Sequence, residues 1–144
     1  MKATTLVAAA ALAILPAVAF AQDTRPYTPG HVTQLSYLKI KPGRFDDYMR
    51  YLGGVYRKQM EAYQKAGLVV DYKVLTLTPR SPKEPDIILS VTYPNMAALD
   101  RNQEFDAIGQ QVAGTFAEQN KGFADRGAMR EVLGSELARE MILK

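Results

Sequence analysis

The feature that most narrows what this chain can fold into is a change of period at Pro42-Gly43. In "YLKIKPGRFDDY", residues 37 to 48, apolar and polar residues alternate up to Ile40 and then stop. Beyond the turn, Phe45, Tyr48, Met49, Leu52, Val55, Tyr56, Met60 and Tyr63 recur at three- and four-residue steps. That spacing lines one face of a helix. Pro42 cannot donate a ladder hydrogen bond and Gly43 loosens the turn, so the pattern predicts a strand over 31–40 feeding directly into a helix. Asp46 and Asp47 fall in its first turn, where the helix dipole favours anions. Gly67 is a natural stop. Gly53 and Gly54 interrupt this helix, each costing about 1 kcal/mol relative to Ala. They are read as a close backbone approach by another element, with a tolerated weak spot as the alternative.

Two further β-rich runs follow. "GLVVDYKVLTLTP" (67–79) and "DIILSVTY" (86–93) flank the polar loop "RSPKEP" and can pair as a hairpin. Parity puts Ile87, Leu89, Val91 and Tyr93 on one side of the second run, and Ile88, Ser90 and Thr92 on the other. Asn95 is a good N-cap for "MAALD". Phe105, Ile108, Val112, Phe116 and Phe123 then predict a short helix, a break around Asn102 and a longer helix ending near Gly127. The tail fits two templates. Met129, Val132, Leu133, Leu137 and Met141 suit a helix, and local propensity favours it; Leu137, Arg139, Met141 and Leu143 suit a strand.

The order of elements resolves the tail. Strand, helix, strand, strand, helix leaves one helix without a sheet to cover. A fourth strand from about Ser135 to Leu143 completes a βαββαβ unit. The predicted class is therefore α+β and ferredoxin-like, an antiparallel sheet with its helices on one face. The other face is bare, and a second copy of the chain is the usual cover.

The first 21 residues read as a cleaved export signal: Lys2, the apolar run "LVAAAALAILPAVAF", then Ala19-Phe20-Ala21 before Gln22. The run is short for a membrane span, so no stable membrane insertion is expected after cleavage, and no lipobox cysteine exists. Localisation is expected to be periplasmic or secreted. Residues 22–30, with two prolines and a glycine, are expected to be a flexible lead-in, and 31–144 a single domain. The chain has no cysteine, so packing rather than disulfides must hold it together. Without Lys2, 17 basic residues face 15 acidic ones, interspersed and without a basic run. Nothing in that pattern calls for a nucleic-acid partner.

Candidate chemistry is sparse. A metal site of histidines and thiolates is excluded by one histidine and no cysteine. His31, at the start of the first strand, is a weak candidate base. Gln34, Ser36, Ser90 and Thr92 interrupt apolar strands and are read as the floor of a small-ligand cavity, or else as lining of a dimer interface or sheet edge. Tyr37, Tyr72 and Tyr93 come from three strands and are read either as plain structural packing or as converging on a cavity between sheet and helices; Tyr48, Tyr56 and Tyr63 belong to the buried helix stripe. Arg139 has the forked donors to anchor a ligand carboxylate, or to pair with Asp71 or Glu140.

"LSYLKIKPGRFDDYMRYL" resembles the opening of the dimeric α/β-barrel superfamily, in particular its NIPSNAP-like and antibiotic-biosynthesis-monooxygenase-like members. "SVTYPNMAALDR" resembles the strand-to-helix step after their third strand. The resemblance covers roughly residues 31 to 143. It implies a homodimer and no cofactor. It also implies a possible activity, as a cofactor-independent monooxygenase, isomerase or lyase on a small aromatic or polyketide-like compound. The alternative is a non-catalytic small-ligand binding protein or a dimeric interaction module. The Asn, Trp and His of the haem-degrading branch do not carry over, because the chain lacks Trp and its histidine falls on the first strand. No catalytic residue is transferred.

Overall fold

In a computed structural model the described residues are 25–144; the expected signal and its cleavage point lie outside them. The chain runs β1 (Tyr27–Ile40), α1 (Phe45–Tyr51), a π-helical turn (Leu52–Tyr56), α2 (Arg57–Lys65), β2 (Asp71–Thr76) and β3 (Ile87–Tyr93). A 3₁₀ turn (Met96–Asp100), α3 (Asn102–Ala113), α4 (Phe116–Gly127) and β4 (Arg130–Leu143) complete it. The four strands form one sheet in the order β2-β3-β1-β4, with every pairing antiparallel. This is the ferredoxin-like α+β arrangement expected from the order of elements.

Register fixes the faces. Tyr93, Val91, Leu89 and Ile87 stand opposite Val32, Gln34, Ser36 and Leu38 of β1. Leu38 and Ile87 lie in the core with Tyr48, Leu52, Tyr56, Met60 and Tyr63 of the helical segment, while Tyr72, Val74, Leu89, Val91 and Tyr93 pack against it. The helices therefore cover this face, and the parity expected of β3 is the parity observed. Thr33, Leu35, Tyr37, Ile88, Ser90 and Thr92 point to the other, open face.

The buried stripe of the first helical segment steps by four: Tyr48, Leu52, Tyr56, Met60. At 3.6 residues per turn each such step drifts by about 40° around the axis. The wider π turn between Leu52 and Tyr56 takes up that drift and keeps the four side chains over the sheet. Gly53 and Gly54 sit in this turn, and a Cβ on either would meet nothing within 4 Å. The expected close backbone approach is therefore absent among the described residues. The glycines mark the irregular turn instead.

Four boundaries differ from expectation. β1 begins at Tyr27, so the end of the presumed lead-in is strand, paired as Tyr27–Leu143, Thr28–Ile142 and Pro29–Met141. β4 runs the whole way from Arg130. Its first residues are helix-prone in isolation, but β1 offers a long edge on which their backbone groups are satisfied. The second helical region breaks at Gly114 as well as before Asn102, because Gly114 takes φ +83°. Thr115 then opens α4 with a capping box, its side chain accepting from Glu118 N–H and the Glu118 carboxylate accepting from Thr115 N–H. The Asn95 cap is as expected, its side chain accepting from Ala98 N–H at 3.0 Å. Gly67 ends α2 at φ +69°. Leu68 and Val69, expected in a strand, instead drop into the core beyond it.

Candidate functional site

The residues singled out from sequence divide between the two faces and do not form one cluster. Gln34 and Ser36 lie under the helices, whereas Ser90 and Thr92 lie on the open face, since Leu35 pairs with Ser90 and Thr33 with Thr92. The proposed four-residue floor is thus split by the sheet itself. Parity within each strand was legible, but the relative phase of two strands depends on register, which no local pattern carries. Gln34 is held on the covered side by Tyr93 Oη, which donates to its Oε1 at 3.2 Å, and it donates to Ser135 Oγ at 3.3 Å. On the open side Thr33 and Thr92 hydroxyls lie 3.0 Å apart.

The tyrosines divide too. Tyr72 meets the Tyr56 ring edge-on, with centroids 6.1 Å apart, and Tyr93 meets Phe105 at 6.1 Å. Tyr37 faces the other way, its hydroxyl 3.5 Å from Glu136 Oε2. It borders a shallow hollow on the open face with Pro85 and the β4 residues Leu133 to Glu136. Arg139 stands opposite Val32 on the exposed β4 edge. Asp71 lies at the far edge of the sheet and pairs with Lys73, and Glu140 approaches His31 at 3.9 Å instead. His31 and Glu140 are both more than half exposed, so that contact is a solvated one. Among the described residues no group of three or more His, Asp or Glu is placed to hold a metal ion.

The best-formed concavity was not foreseen. It is a groove of about 290 Å³ between the π turn and α4, lined on one side by Tyr51, Val55 and Gln59 and on the other by Gln119, Arg126 and Met129. The π turn sets one wall and the Gly114 break, which re-aims the chain into α4, sets the other. The acidic groups in the lining are committed elsewhere. Thr115 N–H and its hydroxyl both bind the Glu118 carboxylate and hold it below the usual carboxylate range. Asp125 pairs with Lys121 Nζ at 3.0 Å. Gln59 donates to Tyr63 Oη at 2.7 Å, and Gln119 donates to Gly114 O at 2.8 Å.

Arg126, which lines the groove, and Arg130, which lies outside its lining, meet an aromatic cluster. The Arg126 guanidinium lies 4.8 Å from the Tyr51 ring centroid and 5.7 Å from that of Phe123. Arg130, at the start of β4, lies 5.6 Å from the same Phe123 centroid and 5.8 Å from that of Tyr48. Neither forms an ion pair among the described residues, and Arg130 Nε is buried without a hydrogen-bond partner. Burial pushes the Tyr48 hydroxyl up, opposed by the neighbouring Arg130 charge. Tyr56 is pushed up further by burial and by the surrounding tyrosines, and its hydroxyl also has no partner. A sequence signal existed for part of this site: "GTFAE" (114–118) is a break followed by a Thr-x-x-Glu capping box. The convergence of Tyr51 with Arg126 had none.

No protein-family model matches this sequence, and no curated protein matches it. Solved structures do share its architecture. A dimeric ferredoxin-like protein from an uncultured marine organism aligns with TM-score 0.51 at 10% identity, over 81% of this chain and 90% of that one. HapK from Hahella chejuensis aligns at 0.50 and 13%, over 76% and 91%. A protein from Shewanella oneidensis aligns at 0.50 and 15%, over 81% and 98%. At such identities the likeness establishes the fold, which is the one the sequence resemblance implied.

Proposed function

We propose that this is an exported homodimeric binding protein that holds a small organic molecule in the groove between the π turn and α4 of each protomer. The observation that carries the binding reading is the state of the groove's lining: a formed concavity in which each acidic group is already committed to a cap or an ion pair. General acid–base work needs a group poised near neutrality. Glu118 is held below that range, and the buried tyrosines behind the groove are pushed above it. The volume lies near the lower end of the roughly 300–1,000 Å³ common for ligand pockets, which suits a one- or two-ring molecule.

Pairing is supported by the exposed apolar surface of β4 and by the marine protein of the same fold being described as dimeric. Export rests on the sequence alone. The test is native mass spectrometry of the protein purified from its own periplasm, with N-terminal sequencing. The expected species is a dimer beginning at Gln22 with a reproducible small-molecule adduct. Gly122 lines the groove, so a Gly122→Leu variant should lose the adduct and remain folded. A stable monomer at micromolar concentration sinks the pairing, and a retained leader sinks the export. Chemical conversion of the bound molecule would move the protein among the enzymes.

A further inference from the structure

We propose that α4 is a hinged lid on the groove, latched by Arg126 against the Tyr51 ring, and that its release admits and frees the ligand. The proposal rests on the groove being a binding site and adds how that site is gated. α4 supplies Glu118, Gln119, Gly122, Asp125 and Arg126, half of the ten residues that line the groove. Yet this 12-residue helix buries none of its residues, whereas α1, α2 and α3 each bury at least one. Its two large apolar side chains, Phe116 and Phe123, are 53% and 60% exposed. A helix in a protein owes most of its stability to a packed apolar face, and α4 has no buried one. Segments with so little buried contact open at a small fraction of the free energy of global unfolding.

The polar bonds of α4 close on the helix and its own hinge. Thr115 and Glu118 cap one another, Lys121 pairs with Asp125, and the Gln119 amide donates back to Gly114 O. None of these ties α4 to the opposite wall. Among the described residues, the contact that bridges the groove is the Arg126 guanidinium, 4.8 Å from the Tyr51 ring centroid. The ends of α4 suit a hinge. Gly114, at φ +83° and ψ −170°, breaks the helical path out of α3. Met129 O accepts from Lys41 N–H at 2.9 Å, which pins the far end to the turn after β1. A helix fastened at its ends and held across the groove by one cation–π contact can leave the body without exposing a core.

Released from the body, a helix of this length is marginal in water, so release is read as fast amide exchange. The experiment is hydrogen exchange followed by mass spectrometry on the mature protein, with its co-purified adduct and after the adduct is removed by unfolding and refolding. Without the adduct, amides of 116–127 should exchange at least about a hundredfold faster than those of α2 and β3. Arg126→Met should speed α4 a further two- to fivefold or so and leave α2 and β3 unchanged. The adduct should slow α4 by about tenfold or more. An α4 as protected as α2 would overturn the lid and leave the groove standing as a fixed pocket, whether its own packing or a second copy holds the helix. A wild-type rate in Arg126→Met would overturn the latch. An adduct that Gly122→Leu removes, but that leaves α4 exchange unchanged, would overturn the gating. A labile α4 in protein that never carries an adduct would overturn the groove reading itself, and the gating with it.

Discussion

Ile87 on β3 and Leu137 on β4 are both aliphatic residues on the helix-covered side of one sheet, yet the first is 0% exposed and the second 54%. The same contrast holds along both strands. β3 sits between β1 and β2 under the first helical segment, whereas every residue of β4 after Arg130 is exposed. Val132, Leu133, Leu137, Met141 and Ile142 are among the large apolar side chains left open. Beyond Val32 the β1–β4 ladder continues without β3 beside it. Two strands alone are marginally stable in water. One half of this sheet is thus a finished core, and the other is a surface whose apolar content exceeds what an isolated protomer needs.

The largest effect should come from the finished half. Ile87→Ala removes a fully buried side chain between β1 and the helical stripe and is expected to cost about 2–5 kcal/mol. Urea denaturation followed by circular dichroism measures it. A loss below the bottom of that range would mean the core relaxes into the cavity. Next is the hinge that aims α4 at the groove. Gly114 adopts φ +83° with ψ −170°, a region reserved for glycine. Its Cβ in Gly114→Ala would also meet the Glu118 carboxylate of the capping box. The expected cost is about 1–3 kcal/mol, with weakened ligand binding at the groove. An alanine variant as stable as the wild type would show that α4 is not fixed by this turn.

How far the sequence could be read follows the same division. The strand ending at Pro42, the helical stripe from Tyr48 to Tyr63, the Gly67 stop and the two faces of β3 were all legible, because each is set by burial acting locally on side-chain period. The β4 strand was legible only from about Ser135 onward, and only from the order of elements; its start at Arg130 was not. Its side chains are exposed on both faces, so neither period is enforced and its partner strand decides. The groove was missed for a related reason. Tyr51 and Arg126 belong to helices distant in sequence, and the hints that a π turn had opened one wall were the Gly53-Gly54 pair and a strict four-residue step through Tyr48, Leu52, Tyr56 and Met60. Gln34 and Ser36 were separated from Ser90 and Thr92 by a register that local pattern does not contain.

A smaller effect should come from the clasp at the end of the covered half. Asp86, just before β3, accepts from Lys39 Nζ at 2.9 Å and from Ile40 N–H at 2.8 Å. Partial burial alone would push its pKa up, but these two donors and the Lys39 charge hold it below the ordinary value. A lowered folded pKa contributes stability that is present above the unfolded value near 3.9. That contribution is lost as pH falls through the folded one. Asp86→Asn should therefore cost about 1 kcal/mol near pH 7. The gap between variant and wild type should close as urea midpoints are followed downward from pH 5. A gap that stays constant to pH 2 would assign the effect to lost geometry rather than to charge.

The smallest effect on the protomer should come from Leu137→Ala, and it sharpens the comparison most. It is the same kind of truncation as Ile87→Ala on the same side of the sheet. With Leu137 half exposed, the change should stay within roughly 0.5 kcal/mol in dilute protein where the chain is monomeric. A second copy covering β4 adds stability that grows with protein concentration. The wild-type melting temperature should then rise with concentration, and the variant should show a weaker rise at equal dilution. Calorimetry across a concentration series separates the outcomes. A weakened concentration dependence assigns the apolar surface of β4 to self-association. A large loss in dilute protein would mean that part of this chain covers Leu137 in solution and that β4 is not the open edge. An unchanged slope would place the dimer contact on the open face around Tyr37, Ser90 and Thr92 instead.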